Sequence, residues 1–138
     1  MLRIETKARA RALQLLYAWE LQGGPSVPAI AIGLVRLTGC RETSVLDRAE
    51  ELAEQVVTRV AALDRHAAAA ADNWRLSRIA TVERNILRLG IHELEQAEVP
   101  PKVAIDEAVR LAHWFAGARA PGFVNGVLDR IAHTLGRL

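Results

Sequence analysis

The chain has 138 residues, enough for one domain with its own core. It is 51% hydrophobic but only 4% aromatic, so its apolar mass is mostly Ala, Leu, Val and Ile interleaved with Arg and Glu; this favours helix and excludes collagen, disorder and an all-β sandwich. The formal net charge is only +2, and a single cysteine, Cys40, excludes an internal disulfide framework and leaves too few thiolates for a cysteine-based zinc site.

The pattern is helical throughout, with no run at the strand period of two. A first helix is predicted over 4–21, ended by Gly23-Gly24-Pro25. A second follows over 27–37, up to the break at Thr38-Gly39-Cys40. A long third helix is predicted over 44–70, with Ser44 as its N-cap and Asp47 three residues on. A short turn is expected at 73–77. Further helices are predicted over 79–97, 102–116 and 122–136, with Pro101 in a first turn and Gly117 in the left-handed position after a helix end. No linker is long enough to split the chain, so 1–138 reads as one domain. No stretch of about 20 apolar residues could span a membrane, and the start lacks the apolar core of a signal peptide; a soluble, cytoplasmic protein is expected.

Catalytic patterns are missing. His92-Glu93 begins like a two-histidine zinc motif, but Gln96 stands where the second histidine belongs. There is no Gly-rich phosphate loop and no Gly-x-Ser-x-Gly. We therefore expect no catalytic residue, no metal and no cofactor.

Charge is uneven along the chain. Arg3, Lys7, Arg9 and Arg11 face only Glu5 and Glu20 in residues 1–22, and Arg119, Arg130 and Arg137 face only Asp129 in residues 117–138. Basic ends around an acidic middle point to a polyanion partner. At 100° per residue, Arg3, Lys7 and Arg11 share one stripe, while Ala8, Ala12, Leu13, Leu15, Leu16 and Trp19 occupy the other side. A cationic stripe neutralises phosphates; on spacing alone, a solvated face is the commoner reading. Arg9 projects into the apolar sector and needs a carboxylate or a route to solvent, and partial exposure with the guanidinium at a helix boundary is expected. Glu83 and Glu93 fall on or beside the apolar face of Ile79, Val82, Ile86, Leu87, Leu89 and Leu94, and either is a candidate partner for Arg9. Gly90 within that helix is explained by a close helix crossing, and equally by plain drift. In the last helix Phe123, Val127, Ile131 and Leu135 keep the core period, leaving Asn125 and Asp129 on the opposite face beside Gly126. An amide there suits a nucleobase edge or a phosphate, though a local cap explains it as well. Trp114 projects from a polar side, where it can stack on a base or a protein or fold back on a neighbouring helix.

Four blocks in this order resemble the NusB family of bacterial transcription antitermination factors. They are Lys7-Ala8-Arg9 with Ala12 to Glu20, Asn73 to Ile79 with Val82 to Leu89, His92-Glu93-Leu94 with Val99 to Ala108, and Phe123 to Asp129. The resemblance implies an all-α fold of about seven helices in two packed helical subdomains, and no catalysis. It implies binding of boxA single-stranded RNA in ribosomal RNA leaders together with NusE, a small-subunit ribosomal protein, within an antitermination complex on RNA polymerase. It places Lys7, Arg9 and Arg11, with Arg3 upstream, in an RNA-binding start, and Phe123, Asn125 and Gly126 in a second RNA-contacting segment. Tyr17 and Glu83 match the side that receives NusE. The family often has a Lys just before Phe-Val-Asn-Gly; here Arg119 is the substitute. Glu5 and Thr6 stand where arginines are frequent, so RNA affinity without NusE is expected to be low. A homodimer covering the RNA surface is an alternative state. NusB-like domains also begin ribosomal RNA cytosine methyltransferases, but this sequence ends at Leu138 without a methyl-donor domain.

Overall fold

A computed structural model describes residues 3–39, 42–71 and 78–138, without the side chains of 34–38. The expected turn at 73–77 and Cys40 lie outside the described residues. Seven α-helices, and no strand, occur among those described: α1 (Ile4–Leu21), α2 (Val27–Thr38), α3 (Thr43–Thr58), α4 (Val60–Ala70), α5 (Thr81–Gln96), α6 (Pro101–Phe115) and α7 (Ala120–Thr134). They form two compact units, Met1–Thr58 and Arg59–Leu138. None of the described helices is long and apolar enough to cross a membrane.

In the first unit α1 packs against α2 and α3. Ala8, Ala12, Leu13, Leu15 and Leu16 are buried on α1, as the period predicts, and Val45, Ala49, Leu52, Ala53 and Val56 meet them from α3. Helix α1 stops where two glycines take positive φ, +81° at Gly23 and +85° at Gly24, a backbone that L side chains resist. The Gly24 N–H then turns back to the Trp19 carbonyl at 2.9 Å. At the next helix start, Ser26 Oγ accepts from the Ala29 N–H at 3.4 Å, a weak cap. Helix α3 begins one residue before the predicted start. The Glu42 carbonyl accepts from Leu46 N–H, so Ser44 stands in the first turn and is not the cap.

The predicted 44–70 helix is two helices. Val56, Val57 and Thr58 are consecutive β-branched residues, which crowd the preceding turn. Thr58 Oγ1 donates to the Glu54 carbonyl at 2.8 Å, a local bond that bends helices. Arg59 then leaves helical geometry at φ −112°, ψ 15°, and the second unit begins there.

In the second unit α5 packs against α4, α6 and α7. Its middle is buried all round: every residue from Asn85 to Leu94 is buried, where the sequence suggests one apolar face. Its polar residues are accommodated by pairing. Arg88 forms a two-pronged ion pair with Asp64, Nε to Oδ1 at 2.7 Å and NH2 to Oδ2 at 2.8 Å. Asn85 accepts from Arg88 at 3.0 Å and donates to the Thr81 carbonyl at 2.9 Å. Among the described residues no buried side-chain nitrogen or oxygen lacks a hydrogen-bond partner. Gly90 sits directly under Leu128 of α7, which confirms the close crossing; a Cβ there would lie 2.6 Å from Leu128 Cδ1.

Two helix ends differ from expectation. Gly117 is not left-handed, because α6 ends by Ala116 swinging to extended backbone at φ −122°, ψ 177°. The left-handed cap falls instead on Ala97 after α5, at φ 60°, ψ 23°. Pro101 does occupy the first turn of α6.

Candidate nucleic-acid interface

The expected site residues divide between the two units. In the first unit Arg3, at the N-cap of α1, and Lys7 and Arg11 within it follow one another at four-residue steps, with Arg3 exposed and the other two half-buried. Acids already answer part of this charge. Lys7 Nζ lies 3.1 Å from a Glu42 oxygen, in a pair open to solvent. Arg48 of α3 holds Glu5 at 3.3 Å and Glu51 at 3.1 Å. Arg11 donates to Gln14 Oε1 at 2.8 Å. Exposed pairs of this kind are worth roughly 0–1 kcal/mol, so an incoming phosphate displaces Glu42 from Lys7 at little cost.

Arg9 is only 6% exposed, less than the partial exposure expected. Glu93 is buried as well. Tyr17 keeps 38% of its surface and Leu21, one turn on, keeps 63%, an exposed apolar pair at the end of α1.

In the second unit the starts of α5 and α7 border one cleft of about 410 Å³. It is lined by Arg78, Ile79, Ala80 and Glu83 on one side and Arg119, Ala120 and Phe123 on the other. Ile79 and Ala120 form a buried floor. Helix α7 is turned slightly from its predicted register: Val124, Val127, Leu128 and Ile131 are the buried stripe. Phe123 is therefore released to the boundary, where it walls the cleft. Asn125 and Gly126 are exposed one turn further on, as expected. Asp129 lies 3.6 Å from His133 on the same outer face. Two helix N-termini bordering one cleft add partial positive charge to that of the two arginines.

Arg78 is the residue that sequence reasoning passed over. It lies inside a matched block, just before a helix start, but no periodicity marked it. Trp114 is 45% exposed, with the Arg110 guanidinium 5.8 Å from its ring centre and Phe115 edge-on at 6.4 Å. Its ring thus already has neighbours on its own helix. His92 is buried near Arg59, which also binds Glu95, and Glu95 meets His66 at 3.1 Å. Among the described residues no cluster of His, Cys, Asp and Glu is arranged to hold a metal.

A small all-α protein presenting cations and an aromatic side chain at solvent-facing helix surfaces is the class that these features define. The model of the NusB family matches residues 6–133. The "Transcription antitermination protein NusB" of Sorangium cellulosum is 45% identical over 135 residues, covering 94% of this chain and 92% of that protein. The protein of the same name from Anaeromyxobacter dehalogenans is 40% identical over 133 residues, covering 94% and 91%. Among solved structures, a crystal structure of the antitermination factors NusB and NusE in complex with double-stranded RNA matches with a TM-score of 0.85 and 28% identity, covering 97% of this chain and 99% of that one. The solution structure of NusB from Aquifex aeolicus matches with a TM-score of 0.84 and 27% identity, covering 99% and 95%. The chain belongs to the NusB family.

Proposed function

We propose that this chain is a transcription antitermination factor that binds boxA RNA of ribosomal RNA leaders together with NusE and promotes processive transcription of ribosomal RNA. Residues 1–138 act as one RNA-binding domain without catalysis, in the cytoplasm. The observation that carries this reading is the row of Arg3, exposed, with Lys7 and Arg11, half-buried, on a chain of this family. The row supplies phosphate affinity, and the second-unit cleft with Phe123 and the nearby Asn125 supplies contacts to unstacked bases. Arg9 either joins this row at the RNA or holds a carboxylate of the core. Tyr17 and Glu83 serve the NusE side. The relatives' shared name favours antitermination over a methyltransferase domain.

The test is charge reversal. With Arg3, Lys7 and Arg11 all replaced by Glu, boxA RNA binding by the complex with NusE falls at least about a hundredfold at low salt, since three phosphate contacts become repulsions. The helical circular dichroism spectrum stays unchanged, because these side chains lie outside the core. Unchanged affinity in the folded variant would leave only a helical protein-interaction module.

A further inference from the structure

The second-unit cleft joins residues that the family resemblance assigns to different partners. Glu83 matches the NusE side, and Arg119 and Phe123 match the RNA side, yet all three line the same cleft. Arg78, to which the resemblance gives no role, stands with them. Among the described residues Glu83 forms no ion pair, although two guanidiniums border its cleft. Arg84, the next cation in sequence, is turned back to the Ile79 carbonyl at 2.8 Å and to Thr81 Oγ1 at 3.4 Å.

We propose that this cleft takes an RNA phosphodiester between Arg78 and Arg119, and that Glu83 holds its affinity down until a cation of the protein partner neutralises the carboxylate. The inference rests on the reading of the chain as an RNA- and NusE-binding factor.

The physical case has three parts. Arg119 and Glu83 line the same cleft of about 410 Å³, and charges that share one small cleft are screened less than charges more than a Debye length of about 8 Å apart. The buried floor of Ile79 and Ala120 lowers the local dielectric and lengthens the reach of each charge. An unpaired carboxylate at such a place repels RNA and attracts a lysine or arginine from a basic protein. The partner and the RNA then help each other through one shared charge, and the help is reciprocal. Glu83 also stands in the first turn of α5, where an acid favours the helix dipole. That role would affect folding and leave RNA affinity alone, which the experiment separates.

Labelled boxA RNA is titrated at low salt with the wild-type chain and with Glu83→Gln, Arg78→Gln and Asp47→Asn, each with and without NusE. Asp47 is an exposed acid of the first unit and controls for net charge. Without NusE, Glu83→Gln binds RNA about three- to tenfold tighter, the effect of removing one partly screened like charge. The enhancement by NusE shrinks by the same factor. Arg78→Gln binds RNA several-fold more weakly in both series, and Asp47→Asn matches wild type. Thermal melts show that each variant is folded. Glu83→Gln binding no tighter than wild type without NusE overturns the gate, as does an equal gain in Asp47→Asn. Unchanged binding by Arg78→Gln overturns the clamp. If wild-type chain with NusE fails to bind the RNA at all, the functional reading itself falls, and the gate with it.

Discussion

Arg88→Ala lowers the stability of the protein by about 3 kcal/mol, measured by urea unfolding. The guanidinium is buried and makes two short bonds to Asp64 and one to Asn85. Truncation leaves a carboxylate that is three-quarters buried without its counter-charge. It also strips the fully buried Asn85 carbonyl of a donor. Breaking a buried pair costs about 3–5 kcal/mol, and the remaining exposure of Asp64 argues for the low end of that range. The double variant Asp64→Ala, Arg88→Ala loses less than the sum of its singles, because no charge is then stranded. A loss below about 1 kcal/mol in Arg88→Ala would mean that the pair contributes no more than a surface one.

Gly90→Val destabilises by about 3 kcal/mol, through overpacking against Leu128. The first added carbon already falls 2.6 Å from Leu128 Cδ1 and 3.0 Å from Cδ2, and Leu128 is fully buried with nowhere to retreat. Gly90→Ala is milder, since the gain in helix propensity of about 1 kcal/mol offsets part of the clash. The pairing predicts a sign change. Leu128→Ala alone costs about 2–5 kcal/mol by opening a cavity. In that background Gly90→Ala becomes stabilising, because the methyl enters the space and keeps its propensity gain. Additive free energies across the four proteins would show that the two residues do not touch.

Most helix positions were legible in the sequence because Ala, Leu, Ile and Val recur at helical spacing between clear breakers. The glycine pair at 23–24 and Pro101 marked ends that the structure keeps. What was hidden depended on tertiary context. The break at Arg59 rests on a β-branched run and one Thr58 hydrogen bond, inside a segment whose apolar period continues across it. The all-round burial of the middle of α5 was masked by Asn85, Arg88, His92 and Glu93, which look like a solvated face until Asp64 and the Thr81 carbonyl supply partners for two of them. The left-handed cap went to Ala97 and not to Gly117, because the local exit of each helix decides which residue must twist.

The site was legible in part. Arg3, Lys7 and Arg11 were readable as a row because a helix repeats every four residues closely enough to align them. Phe123 keeps the core period in the sequence; one position of register moves the buried stripe to Val124 and leaves the ring half-buried at the boundary. Arg78 and the cleft it shares with Glu83 and Arg119 come from residues about 40 positions apart, which no local pattern joins.

The proposed contacts of Arg3, Lys7 and Arg11 with the phosphates of boxA RNA set the salt dependence of binding, measured on the complex with NusE for wild type and for the variant with all three residues changed to Gln. Each contact to a single strand contributes about 0.7 to the slope of log affinity against log salt, so losing three reduces the slope by about 2. Equal slopes for the two complexes would contradict these contacts.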